Sequence, residues 1–555
     1  MWEKLICIMD WILSHRKEIL FAASMLVLLA LIECVYLKDI PYRDVAHRYI
    51  PMAEAFAAGD FQFAFHPRIP PLQPLCGGIV AKCSGVDAYL GLKIASAIWH
   101  LAGGVLIWLL FRTVYPDDRR TALFGTLLYG FFPYMFHMAY SGMRESAKCT
   151  VLILLALALV RCLRTPSRWR DYLLLGIAAG LGGLIRAEMS AVGMFCIFCA
   201  AVFESVSGGP PRRSAFATVV ALCPLMANAL VNYRFFGHAM PDSHFAWLFV
   251  KHLGRAAVPG DALAAAAGIA VLLPAAAYAA ARLFRRIPVG YFWGGALFVT
   301  AAMTVFTALT GADRGIPGTL GGFFLAVISG MYYFVVPVGL VHVGRQIYLR
   351  KFTSAEHAIL LVAAANFLLS VLQAQIFSRI LTISSRYLFP ATPLFFGFFL
   401  LGWEDIYRWL QRFLPKWCTA VILALSIAGL CAMYISHLPQ PLYREHHASS
   451  HVEDTAAIRE ICRLMRQDQG RAIPRRNAVS PWVYRRRSSP NILFRAHPRI
   501  SVATYFLGWT LVESPAEADY IVSKKLPRGI DPRNAHLLGR VGRRKLLLNV
   551  WRIDR

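Results

Sequence analysis

The residues of this chain best placed to do chemistry are charged side chains at the ends of long apolar runs. A charge at the centre of a bilayer costs about 2.5–3.5 kcal/mol on insertion scales. Any one of these charges could be an ordinary interfacial anchor. Their joint placement on one predicted face, opposite a strongly basic face, favours a polar cavity that opens there. The residues are Arg144, Glu145, Arg186, Glu188, Arg379 and Arg386.

A further acidic residue, Asp44, stands in a polar stretch of 50 residues from Lys38 to Asp87, between two apolar runs. Loops of this length are usually functional. The spacing of apolar residues predicts a helix from Asp44 to Phe56, with Gly59 as its stop. Two interpretations remain open: an amphipathic helix on the membrane surface that presents Asp44, or a surface helix with Asp44 as a plain N-cap.

Composition makes the chain a membrane protein. Of its 555 residues, 57% are hydrophobic and 16% charged, against about a quarter charged in soluble proteins. The net charge of +27 sits mostly in short loops, where it indicates orientation and contact with anionic lipid rather than nucleic acid. No cleavable signal pattern opens the chain, so we expect insertion by the first span.

Thirteen apolar segments are long enough to cross a bilayer. Basic residues fill alternate loops, for example Arg161, Arg164, Arg168 and Arg170, which predicts that those loops face the cytoplasm. Thirteen spans then put the C-terminus outside, and we expect a bacterial inner membrane. The spans are predicted at 19–37, 89–111, 121–139, 147–163, 171–185, 189–206, 215–233, 262–281, 291–310, 319–342, 355–375, 388–402 and 418–436.

The composition changes after residue 436. Residues 437–555 hold 22 Lys and Arg against 10 Asp and Glu and contain no apolar span. The pattern predicts a helix at Asp454–Gln467 and strands at Ile500–Tyr505, Tyr520–Ser523 and Lys545–Trp551. The fold class predicted is therefore an all-α polytopic membrane module, 1–436, followed by a small extracytoplasmic α/β domain, 437–555.

Most of the 12 cysteines lie in apolar runs, where they behave as small hydrophobes. Cys76 and Cys83 share the first loop and would pair only if that side is oxidising; unpaired thiols fit equally well. No Cys and His spacing matches a zinc site.

The order of motifs resembles the glycosyltransferase C superfamily, in the branch of protein O-mannosyltransferases and bacterial lipid A aminoarabinose transferases. The resemblance covers about 20–435 and departs from the family where Val45 and Ala187 replace its second carboxylate and its proline. The matching positions are Asp44, Tyr49, Ala57-Ala58-Gly59-Asp60, Pro70-Pro71-Leu72, Glu145, Arg186, Asn232–Gly237 and Arg386-Tyr387-Leu388-Phe389-Pro390.

The resemblance implies transfer of a sugar from a polyprenyl-phosphate donor to a lipid, glycan or protein acceptor. It makes Asp44 the general base and Glu145 a second catalytic residue, which would orient an Arg or hold a divalent cation, and it implies no certain cofactor. A divalent cation, Mg or Mn, held by Asp44 and Glu145 remains an option. The phosphate-binding residues implied are Arg386, Arg379, Arg144, Arg186 and Tyr387, and those on the acceptor side are Tyr49, His66 and Glu188.

The competing hypothesis is a transporter or flippase for a lipid-linked sugar, or a non-catalytic assembly subunit. Transporters often show internal repeats and sites at mid-membrane. This sequence has no repeat between its halves, and its acidic residues gather at one predicted surface. These observations favour a glycosyltransferase over a transporter, a flippase or an assembly subunit.

The predicted topology can be tested with cysteine labelling in a background without other reactive thiols. We expect an impermeant maleimide to label Ser449→Cys in intact spheroplasts. The control Ser167→Cys, in a predicted inner loop, should react only after lysis. Labelling of Ser449→Cys only after lysis, as in the control, would mean that the span count is wrong by an odd number.

Overall fold

The structure is a computed structural model. It describes residues 45–65, 69–130, 141–207, 210–236, 335–376 and 389–419, short stretches of 460–554, and a few isolated positions. Five of the predicted spans lie wholly or largely outside these residues, namely 19–37, 262–281, 291–310, 319–342 and 418–436.

The described part of the chain is mostly helical. Twelve α-helices are labelled here in chain order: α1 Ile50–Ala58, α2 Phe61–Ala64, α3 Leu72–Ser84, α4 Ala88–Val114, α5 Arg119–Gly130, α6 Glu145–Arg164, α7 Trp169–Ile185, α8 Ala187–Val206, α9 Arg212–Phe236, α10 Val335–Tyr348, α11 Ser354–Ile376 and α12 Phe396–Leu410. A 3₁₀ segment, Phe389–Phe395, leads into α12.

Four helices within the described residues are long and apolar enough to cross a membrane. They are α4, α6, α8 and α9, and each matches a predicted span. The helices α7 and α11 also coincide with predicted spans, at 171–185 and 355–375. The structure therefore supports a polytopic helical protein, and the count of thirteen stays a prediction.

By its packing the chain divides into two units. The first contains Ile98–Phe136 and Arg144–Met433, which include the helices from α5 to α12. The second contains Tyr36–Ala97, His137–Met143 and Tyr434–Arg555.

In the first unit, the consecutive helices α6 to α9 run in alternating directions. The end of α6, the start of α7, the end of α8 and the start of α9 therefore lie at one end of this group, and the other termini lie at the opposite end. At one end Arg161 Nε lies 2.8 Å from Asp171 Oδ1. At the same end, Glu204 accepts hydrogen bonds from the Ser214 backbone N–H at 3.1 Å and hydroxyl at 2.9 Å. Glu145 and Arg186 stand at the other end of these helices.

Glycines let α7 approach its neighbours closely. A Cβ on Gly176 would lie 2.6 Å from the Ala217 carbonyl oxygen of α9, and one on Gly193 of α8 would lie 2.6 Å from Ala179 Cβ. Real atoms are not found so close, so these backbones are in near contact. This close approach fits the link between α7 and α8, which is the single residue Arg186.

The first loop differs from its prediction. A π-helical turn, Val45–Tyr49, precedes α1 in place of one continuous α-helix. Pro51 accounts for the π-helical turn. It has no backbone N–H, so it cannot donate the hydrogen bond to the carbonyl four residues earlier that a continuous α-helix needs. Val45, Tyr49, Met52 and Phe56 are buried as the spacing indicates, but Ile50, Pro51, Ala53 and Ala55 are buried too. The segment is therefore a buried helix and not one lying with a single face on a membrane.

The turn after α1 is the one predicted. Gly59 has φ +73° and ends the helix, since its N–H bonds the Phe56 carbonyl at 3.2 Å.

Cys76 and Cys83 are both free thiols. They lie on one helix about 10 Å apart by its rise per residue, beyond the reach of a disulfide. Of the two alternatives, a disulfide or unpaired thiols, the structure therefore has the unpaired thiols.

The C-terminal part of the second unit holds a five-stranded mixed sheet with the order β2-β1-β3-β5-β4. Strand β1 is parallel to β2 and β3, and β5 is antiparallel to β3 and β4. The strands are β1 Asn491–Leu493, β2 Thr510–Val512, β3 Tyr520–Ser523, β4 Ala535–Val541 and β5 Leu548–Ile553.

The predicted strand at 520–523 is present, and the one at 545–551 begins three residues later at Leu548. The predicted strand Ile500–Tyr505 lies outside the described residues. The sequence missed β1 and β2, which have three residues each. It also missed β4, whose exposed and partly buried residues do not alternate. The described residues of 460–468 are helical, in line with the predicted helix.

The close approach of α7 and α8 generates a stability prediction. We expect Gly193→Ala to lower the free energy of unfolding by about 1–3 kcal/mol, the usual cost of overpacking. The matched control is Gly344→Ala in α10, where a Cβ meets nothing within 4 Å. It should be neutral or stabilising by up to about 1 kcal/mol. Thermal unfolding in detergent measures both, and equal effects would contradict the packing argument.

Candidate active site

The candidate site lies where two long helices begin. Arg144 is the residue before α6, and Arg186 is the single residue between the end of α7 and the start of α8. Its extended backbone, φ −150° and ψ 134°, breaks the helix there. The first N–H groups of a helix carry partial positive charge, so helix starts attract anions.

Arg186 is the centre of this site. It is buried, with 1% of its surface exposed. Its Nη1 lies 3.7 Å from Glu145 Oε1, and its Nε contacts Glu188 Oε1. Glu145 is fully buried and Glu188 nearly so. A guanidinium taken out of water needs such partners, since isolated buried charges are strongly unfavourable.

Lys148 adds a third cation to the site. It stands one helical turn after Arg144 in α6, is 1% exposed, and interacts electrostatically with Arg186, Glu188, Glu145 and Arg144. We call these five residues, Arg144, Glu145, Lys148, Arg186 and Glu188, the charged cluster. The cluster contains three cations and two carboxylates.

The charge balance of the cluster indicates what it can bind. With all five groups ionised, one positive charge is left over, next to two helix starts. The Nε of Arg144 is buried and makes no hydrogen bond to any group that the structure describes. Guanidinium and ammonium donors bind phosphate oxygens strongly. The arrangement therefore suits one singly charged anion, such as a phosphate diester, while the carboxylates hold Arg186 in place.

Four of the residues proposed from the sequence meet in this cluster: Arg144, Glu145, Arg186 and Glu188. Tyr49 is described in the other unit and is buried, with 2% of its surface exposed. The other five proposed residues, Asp44, His66, Arg379, Arg386 and Tyr387, lie outside the described residues.

Sequence analysis missed Lys148. The residue sits inside the predicted span 147–163, and a lysine within a span is by itself a signal of function or of a buried partner. Its spacing was a second signal. Residues three and four apart share a helix face, and Lys148 follows Glu145 by three positions and Arg144 by four.

The possible divalent cation finds no support among the described side chains. Within them, no group of three or more His, Cys, Asp and Glu could hold a metal ion. Glu145, one of the two ligands suggested by the sequence, is paired with Arg186. Asp44, the other suggested ligand, lies outside the described residues.

Comparison with known proteins finds one matching family model and several solved structures of similar fold. The family model described as dolichyl-phosphate-mannose-protein mannosyltransferase matches residues 68–231. No curated protein matches the sequence.

The fold is similar to that of an archaeal oligosaccharyltransferase, AglB from Archaeoglobus fulgidus, solved with an inhibitory peptide and a dolichol-phosphate. That structure is 13% identical and has a TM-score of 0.52, with 90% of this chain and 69% of that chain covered. The same enzyme tethered to an acceptor peptide gives 14% identity and a TM-score of 0.53, covering 93% and 70%. ArnT from Cupriavidus metallidurans, bound to undecaprenyl phosphate, is 14% identical with a TM-score of 0.42, covering 97% and 98%.

The burial of Arg186 leads to a prediction about stability. We expect Arg186→Met to destabilise the protein by about 3–5 kcal/mol, because it leaves two buried carboxylates without their partner. The control is Arg408→Met, which breaks the exposed pair between Arg408 and Glu404 and should cost less than about 1 kcal/mol. Unfolding temperatures in detergent compare the two. A small effect at Arg186 would show that the carboxylates are hydrated or protonated.

Proposed function

We propose that the chain is a membrane glycosyltransferase. It moves a sugar from a polyprenyl-phosphate donor to an acceptor outside the cytoplasm. The match of residues 68–231 to a dolichyl-phosphate-mannose-protein mannosyltransferase model and the similarity of its fold to that of an oligosaccharyltransferase support the proposal. The observation that carries the proposal is the charged cluster. Its excess of one positive charge complements the single negative charge of a sugar phosphodiester.

In the proposed reaction an acceptor oxygen attacks the anomeric carbon of the donor sugar. The bond from that carbon to the phosphate oxygen breaks, and polyprenyl phosphate leaves with the bonding electrons. Arg186, Lys148 and Arg144 hold the phosphate and stabilise the charge that develops on it. Arg379 and Arg386 complete the phosphate site in this proposal, and Tyr387 adds a hydroxyl.

Asp44 is the proposed base that takes the proton of the acceptor. Its chain neighbour Val45 packs beside the turn that precedes Arg144, since a Cβ on Gly142 would lie 3.5 Å from Val45 Cγ1. Gly142 comes two residues before Arg144. The order of the motifs along the sequence assigns the base and the phosphate-binding cations to one reaction in this proposal.

The donor explains why such an enzyme lies in a membrane. A polyprenyl tail is as apolar as the lipid around it, so the tail of the substrate stays in the bilayer while its phosphate reaches the helix starts. The related structures contain dolichol-phosphate and undecaprenyl phosphate, the kind of lipid proposed here. The acceptor class proposed is a hydroxyl or phosphate of a lipid, glycan or protein, with Tyr49, His66 and Glu188 on its side; lipid A and protein Ser or Thr are examples.

The proposed base gives a direct test. We expect Asp44→Asn to lower the transfer rate by about 10²–10⁴-fold, the usual contribution of general base catalysis. Binding of undecaprenyl phosphate and the unfolding temperature should stay unchanged, because Asn has the same shape and capping ability. The control is Asp60→Asn, the same change in the same loop, at a residue whose side chain caps no helix.

The measurement is transfer from a radiolabelled polyprenyl-phosphate sugar in proteoliposomes. Near-normal turnover of Asp44→Asn would remove Asp44 as the base. It would direct attention to Glu145 or to Asp39, another aspartate of the stretch from Lys38 to Asp87. Transport of the donor across the bilayer without transfer in the wild-type protein would favour the flippase hypothesis instead.

A further inference from the structure

A buried chain of hydrogen bonds runs from the first loop to the residue before Arg144. The Gln73 side chain, in the first turn of α3, donates from Nε2 to the Ser96 hydroxyl of α4 at 2.8 Å. The Ser96 hydroxyl in turn donates to the Met143 carbonyl at 3.0 Å. Gln73 is 1% exposed and Ser96 fully buried. Three segments far apart in sequence are thus joined through polar atoms that water does not reach.

Both polar groups of the Met143 backbone are held in this way. Its N–H donates to the Ser141 hydroxyl at 3.3 Å, and its carbonyl accepts from Ser96. The helical ladder of α6 does not use this carbonyl, because the first bond of the helix runs from the Lys148 N–H to the Arg144 carbonyl at 2.9 Å. The Ser96 bond therefore adds a constraint that the helix itself does not provide.

The turn before Met143 is also fixed sterically. Gly142 has φ +72°, a conformation that favours glycine, and a Cβ there would lie 3.2 Å from Leu92 Cβ of α4. The backbone of this turn consequently lies against α4 with no room to shift towards it. Since Met143 is bonded directly to Arg144, the turn determines where the chain enters the charged cluster.

Packing alone does not require this polar chain. A well-packed apolar pair would join the same segments without the cost of burying polar groups. Moreover, the Gln73 Oε1 is buried and accepts no hydrogen bond from the residues that the structure describes. Polar groups retained at such a cost typically specify one arrangement of the surrounding backbone.

We propose that Gln73 and Ser96 are positioning residues of the phosphate site, which hold the Met143 carbonyl so that Arg144 and Glu145 enter the charged cluster in one register. This inference rests on the proposed function for what the cluster binds. The positional part does not depend on it. Gln73 follows Pro70-Pro71-Leu72, so the hydrogen bonds connect the first loop to the turn that precedes α6.

The decisive variant is Ser96→Ala, with Thr150→Val as the matched control. Thr150 also donates a hydroxyl hydrogen bond to a backbone carbonyl of α4, that of Trp99 at 2.6 Å. Both variants lose one hydrogen bond in which a hydroxyl joins α4 to another segment through a backbone carbonyl. Only Ser96→Ala loses the one that holds Met143.

Hydrogen exchange measured by mass spectrometry reads the position of the turn without any assumption about activity. We expect amides of residues 141–148 to exchange about three- to tenfold faster in Ser96→Ala, as loss of one net hydrogen bond implies, and to be unchanged in Thr150→Val. Ser96→Thr, which keeps the hydroxyl, should restore the wild-type rate. Equal exchange in Ser96→Ala and Thr150→Val would overturn the proposal.

Binding of undecaprenyl phosphate, followed by its effect on the unfolding temperature, tests the functional part. The dissociation constant should rise about three- to tenfold in Ser96→Ala and stay unchanged in Thr150→Val and Ser96→Thr. If Ser96→Ala does not fold, Ser96→Cys serves instead, because a thiol is only a weak donor to the Met143 carbonyl. An unchanged dissociation constant in the folded variant would refute the positioning role.

The two proposals fail in different ways. If the wild-type protein does not bind undecaprenyl phosphate, the proposed function is wrong, while the exchange experiment still decides whether Ser96 holds the turn. If the wild-type protein binds it and Ser96→Ala behaves like Thr150→Val in both measurements, the proposed function stands and the positioning role is wrong.

Discussion

The desolvation of Arg186 is the constraint on which this end of the helical unit depends. A guanidinium with 1% of its surface exposed is stable only if its charge is matched by groups whose positions are fixed. Glu145 and Glu188 provide the match, and each stands in the first turn of a helix. The helix starts, the carboxylates and the arginine therefore have to be placed together, and an error in any one leaves a buried charge unpaired.

Close packing of α7 and α8 makes that placement possible. The two helices are linked by Arg186 alone, and a hairpin this tight requires their backbones to approach closely. Gly193 lies against Ala179, and a Cβ on Gly182 would lie 3.2 Å from Met189 Cβ. The backbone of Arg186 also takes part, since its N–H bonds the Gly182 carbonyl and its carbonyl accepts from Met189, each at 2.9 Å. The glycines of α7 and α8 thus determine the position from which the Arg186 side chain contacts the two carboxylates.

Much of this arrangement could be predicted from the sequence, because it depends on rules that act locally. Apolar length gave the positions of α4, α6 and α8 within a few residues, and charges at span ends gave Glu145, Arg186 and Glu188. The π-helical turn before α1 was not predictable from apolar spacing, which cannot tell π from α pairing. The short strands β1 and β2 were missed because three residues carry no periodicity. Lys148 was missed because it lies inside an apolar run, and the Gln73–Ser96–Met143 chain because it joins segments that no local pattern relates.

The charge of the cluster bears on catalysis as well as on binding. In the proposed reaction the donor is a phosphodiester with one negative charge, and the leaving group is a phosphate monoester whose second ionisation lies at a pKa of about 6. Negative charge on the phosphate therefore grows as the bond to the sugar breaks. A site with one excess positive charge stabilises that growing charge more than it stabilises the donor, and this difference is what lowers a barrier. Buried carboxylates already fix the positions of these cations, so the cations need not reorganise during the reaction. The ion pairs that stabilise Arg186 in the folded protein therefore also hold it in position to stabilise the transition state.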